Sequence, residues 1–66
     1  MNIQHVLNQY LKTHEQYSEV KIIIYPTNFA IEFHYKDSNE FSTDWWDTLE
    51  ECIEWLQEEI LNYYKK

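Results

Sequence analysis

The sequence predicts an α+β fold. One small domain spans residues 1–66 in the order α-β-β-β-α, a three-stranded antiparallel meander with two helices packed on one of its faces. Three observations carry this reading. Apolar residues recur at helical spacing at both ends of the chain, they alternate with polar ones in the middle, and two clusters of turn-forming residues divide that middle into three runs.

The first segment, NIQHVLNQYLKTHEQY, sets Ile3, Val6, Leu7, Tyr10, Leu11, His14 and Tyr17 on one face at i, i+3, i+4 spacing, which is an amphipathic helix. From Ser18 to Tyr25 the period changes, and Val20, Ile22 and Ile24 fall on one side of a β-branched strand. A turn follows, where Pro26 presets φ and Asn28 tolerates the left-handed region. Phe29, Ile31, Phe33 and Tyr35 then face one way, and Ala30, Glu32, His34 and Lys36 the other. After a second turn at KDSNE, FSTDWW forms the third strand.

Adjacent residues on a strand point to opposite faces, so one of Trp45 and Trp46 enters the core. Trp45, in register with Phe41 and Thr43, is the expected core residue, with Trp46 on the far sheet face beside Asp44. The alternative is that the strand-to-helix turn buries both. Thr48 and Glu51 then match a capping box that opens the last helix. Its buried stripe is Leu49, Cys52, Ile53, Leu56, Ile60 and Tyr63. Lys65 and Lys66 supply cations at its negative end.

A chain of 66 residues buries only about 60% of its unfolded surface, so the fold depends on dense apolar packing. Its twelve aromatic residues supply that packing, each able to bury on the order of 150–250 Å². Lys, Asn, Ile and Tyr fill 23 positions while Gly, Ala, Arg and Pro fill two, a skew toward AT-rich codons that fits low-GC bacteria and their phages. The lone Cys52 excludes an internal disulfide or a cysteine-cluster zinc site. No apolar run approaches the roughly 18 residues that span a bilayer, and the N-terminus lacks a signal-peptide pattern, so a soluble, cytoplasmic protein is expected.

Charge is the most uneven property. Residues 1–36 balance to zero, whereas residues 37–59 hold nine carboxylates and no lysine, arginine or histidine. The whole chain carries minus seven, a field that repels nucleic acid and attracts basic surfaces. The outward face of the last helix carries Glu50, Glu51, Glu54 and Glu58. Like charges at i, i+4 cost a few tenths of a kcal/mol per pair. A solvated coat accounts for two or three such residues but not for the lack of interspersed lysine. On the helical wheel Trp55 falls about 120° from the core centre, beside these carboxylates. Partly exposed aromatics are enriched at binding hot spots.

These residues point to a partner-binding surface made of Asp37, Glu40, Asp44, Trp46, Asp47, Glu50, Glu51, Glu54, Trp55 and Glu58. No catalytic, cofactor-binding or metal-binding residues are expected. With no glycine there is no phosphate-cradling loop, and His5, His14 and His34 have no ligand spacing. Cys52 lies on the core stripe, and His34 forms a surface pair with Glu32. The last helix also lacks the basic polar face of an interfacial membrane helix. The expected function is therefore that of a non-catalytic acidic interaction protein that docks on the basic surface of a larger protein. A structural or adaptor module acting as a homodimer is the alternative.

Mimicry of nucleic acid is a special case of docking. Carboxylates four apart on a helix recur every ~6 Å, sparser than duplex phosphates at one charge per ~1.7 Å. A mimic would need Asp37, Glu40 and Asp44 to join the helix row. The opening Met-Asn-Ile, the α-β-β-β-α order and the acidic strand–helix segment resemble the small acidic phage proteins that inhibit CRISPR nucleases by occupying a DNA-binding site. That resemblance implies a phage or mobile-element inhibitor, and it transfers no residues. The double-stranded-RNA-binding domain shares the element order but requires a lysine cluster where this chain has DTLEE.

Overall fold

The computed structural model describes residues 2–65, and Met1 and Lys66, invoked above for the opening tripeptide and the helix end, lie outside them. Five elements follow in the expected order: α1 (Ile3–Thr13), β1 (Tyr17–Ile24), β2 (Phe29–Tyr35), β3 (Phe41–Trp46) and α2 (Leu49–Tyr64). The strands form one antiparallel sheet in the order β1-β2-β3. The smallest Cα extent is 18 Å, which accommodates one layer of helices on one layer of sheet.

Both helices are capped at the start by a side chain. Asn2 Oδ1 accepts from the His5 amide at 3.3 Å, and Thr48 Oγ1 accepts from the Glu51 amide at 3.2 Å. Each cap satisfies one of the amides that a helix N-terminus leaves without an intrahelical partner. α1 ends sooner than its periodicity suggests. His14 leaves the helix with non-helical dihedrals (φ -126°, ψ 77°), its ring stacked on Tyr10 at 4.0 Å and its Nδ1 2.7 Å from Thr13 Oγ1.

Tyr17 is accordingly the first residue of β1 and not the last of the helix stripe. The register shifts between Tyr17 and Glu19, a bulge that turns Tyr17 to the same side as Val20. There it packs on Phe33 and Tyr35 at ring distances of 5.3 and 5.2 Å. The β1–β2 turn closes through the Tyr25 amide to Asn28 O at 3.0 Å. No described residue has a positive φ, so Asn28 does not use the left-handed region, and this glycine-free chain makes its turns without it.

The core lies between the helices and one sheet face. Val6, Leu7 and Tyr10 of α1 meet Val20, Ile31 and Phe33 of the sheet and Cys52 and Leu56 of α2. Tyr10 is 3% exposed and touches the rings of Phe33 and Trp55 at 5.8 and 5.9 Å. Aromatic pairs of this kind add about 0.5–1.5 kcal/mol each beyond the area they bury. In so thin a core they do much of the packing. The predicted α2 stripe holds at Cys52 and Leu56, while Tyr63 is 49% exposed and only reaches toward His14 at 6.5 Å.

The two adjacent tryptophans exchange the places expected of them. Trp46 pairs with Phe29 and packs against the core, its ring 5.3 Å from Trp55, whereas Trp45 pairs with Ala30 on the uncovered face and is 54% exposed. Register decides this. Pairing along β2 and β3 places Ser42, Asp44 and Trp46 beside the inward Phe33, Ile31 and Phe29. Phe41, Thr43 and Trp45 therefore share the opposite side with His34, Glu32 and Ala30.

Candidate functional site

α2 presents its acidic residues where helical geometry requires. Cys52 and Leu56 are fully buried, and Glu54, midway between them in sequence, projects half a turn away from both. Glu50, Glu51, Glu54 and Glu58 are all exposed. Because the inner side of α2 rests on the sheet, this stripe points away from the sheet altogether.

Of the ten residues expected at the surface, eight are exposed and two are packed. Asp47 and Glu50 lie where β3 passes into α2. Asp37 and Glu40 lie at the other end of the sheet, lining a shallow hollow with Gln16, Tyr35 and Ser38. Asp44 stands on the helix side of the exposed edge strand β3. The two exceptions are Trp46 and Trp55. Trp55 is half-buried across Tyr10, Phe33 and Trp46, at ring distances of 5.9, 5.7 and 5.3 Å. Both tryptophans brace the core beneath the acidic surface and are not free anchors on it.

No carboxylate from residues 37–59 takes part in an ion pair among the described residues. The Lys21–Glu19 pair at 3.2 Å and the His34–Glu32 contact at 3.0 Å, ionic only when the imidazole is protonated, both belong to the uncovered sheet face. The acidic field reaches inward as well. Burial raises the Tyr10 phenol well above its ordinary value, and the nearby Tyr17 phenol and the Glu59 and Asp44 carboxylates push it the same way.

Cys52 has no accessible surface, and burial pushes its thiol up to about 11. No group of three or more His, Cys, Asp or Glu side chains is placed to hold a metal ion among the described residues. Among the described residues no helix is long and apolar enough to cross a membrane.

A second surface was hidden in the sequence. On the uncovered sheet face Tyr25 packs at a tilt on Trp45 at 5.1 Å, and His34 stacks on Phe41 at 5.2 Å. The signal for it was the apolar character of Phe41 and Trp45, which pointed instead to the core. No family model matches the chain, and no curated protein or solved structure does so either.

Proposed function

We propose that the protein is a non-catalytic docking protein whose acidic α2 face, extended by Asp44 and Asp47, seats on a basic, nucleic-acid-binding surface of a larger protein. One observation carries the reading: nine carboxylates lie in residues 37–59, and none is ion-paired among the described residues. An unneutralised stripe on a rigid helix is costly to the isolated chain, at a few tenths of a kcal/mol per i, i+4 pair. A cationic partner turns that cost into attraction and speeds encounter. Occupying such a site excludes nucleic acid from it, which is the inhibitory form of the reading and the one that a phage or mobile-element protein would use.

The test is capture from a low-GC bacterial lysate by the immobilised chain and by its Glu54→Lys/Glu58→Lys variant, at low and high salt. A partner held by the parent chain, released by salt and displaced by added duplex DNA supports the reading. Equal capture by both chains would reduce the acidic face to a solubility coat.

A further inference from the structure

The uncovered face of the sheet offers a second, chemically different surface. Its three strands contribute Ile23, Ala30, Glu32, His34, Phe41 and Trp45. Phe41 and Trp45 are 55% and 54% exposed, while Ser42 and Asp44 of the same strand face the helices. An isolated two-layer domain gains by turning the apolar side of an edge strand inward. β3 does the reverse. Ala30, between Ile23 and Trp45, has no accessible surface even though no helix covers this face. Ile23, Ala30 and Trp45 form an apolar row at one end of the face beside the polar row of Lys21, Glu32 and Thr43, with the tilted Tyr25–Trp45 contact and the His34–Phe41 stack on either side.

We infer that this face binds a second copy of the chain, sheet against sheet, in a reversible homodimer. Charge selects that occupant. Of the two carboxylates of the face, Glu19 is paired with Lys21 and Glu32 is hydrogen-bonded to His34, so the face offers a basic partner far less than the α2 stripe does. Two copies at minus seven repel in most orientations. Meeting through the open faces points both α2 stripes outward, with two sheets and two inner helix faces between them. Size points to a weak complex. Three strands about 4.8 Å apart and about seven residues long cover roughly 350 Å² per copy. The total of about 700 Å² lies below the standard size of specific interfaces, among weak and transient contacts. The inference is independent of the acidic docking surface.

Sedimentation equilibrium of the full chain from about 1 μM to about 1 mM tests it, since that range brackets micromolar association. The expected result is a monomer–dimer equilibrium that added salt leaves unchanged or strengthens, because screening weakens only the repulsion between copies. Trp45→Lys should raise the dissociation constant at least about tenfold, and Glu54→Lys on the opposite side should not raise it. Circular dichroism verifies that the variants fold. Should Trp45→Lys fail to fold, Phe41→Lys or Thr43→Lys interrogates the same face. A monomer at every concentration overturns the inference. A dimer that survives every folded open-face variant also overturns it and moves the contact elsewhere, for instance to the β1 edge at Ile24.

Discussion

Cys52 shows how one buried atom couples this small core to solution conditions. Its thiol is fully covered, and burial moves it from an ordinary value of 9.0 up to about 11. Between those values the unfolded chain releases the thiol proton while the folded chain retains it. The unfolded state then binds fewer protons, so stability falls as pH rises, by at most about 1.4 kcal/mol per pH unit for this group. The raised phenols of Tyr10 and Tyr17 act in the same direction at still higher pH. Urea midpoints at about pH 8 and about pH 10.5 should therefore differ, and Cys52→Ala should shrink the difference while costing about 1 kcal/mol at the lower pH. The same burial predicts that a thiol reagent labels Cys52 only as fast as the domain opens. Immediate stoichiometric labelling of the folded chain would place the sulfur elsewhere.

At the scale of elements, the caps, periods and turns were legible because each is a local property. Thr48 is the N-cap of α2 as its spacing from Glu51 indicated, and Thr48→Ala should cost about 1 kcal/mol in chemical denaturation. The alternation of β2 likewise gave the inward residues Phe29, Ile31 and Phe33. What a local reading missed was set by pairing. The β1 bulge that turns Tyr17 inward depends on Tyr35 across the ladder, and the side taken by each tryptophan of β3 depends on the register with β2. On composition alone Phe41, Thr43 and Trp45 are the better core-facing set, and the register overrides it. The consequence is measurable. Trp46→Ala and Trp55→Ala each remove a ring that closes the aromatic core and should cost up to about 3 kcal/mol. Trp45→Ala, on the open face, should stay within about 1 kcal/mol. The opposite ranking would restore the expected placement, with Trp45 in the core. Trp55, expected as a binding anchor, now predicts a loss of stability before any loss of affinity.

For the whole molecule, the layered fold keeps two unlike surfaces apart. The helix side carries carboxylates along α2 with no ion pair among the described residues, and the sheet side carries aromatic ring contacts beside the Lys21–Glu19 pair and the His34–Glu32 hydrogen bond. With minus seven overall and no arginine, the chain gains nothing from counterion release, and a gel shift with DNA or RNA at physiological salt should show no complex. Reversing Glu54 and Glu58 relieves like-charge neighbours, so Glu54→Lys/Glu58→Lys should leave the urea midpoint unchanged or raise stability by a few tenths of a kcal/mol. That makes the variant a clean probe of docking. The most direct measurement is equilibrium binding of the lysate-captured partner to the parent chain and to this variant at low and high salt. The account predicts that the variant binds at least about tenfold more weakly at low salt and that the gap narrows as salt shortens the Debye length. Equal affinity of the two chains at both salt concentrations would contradict it.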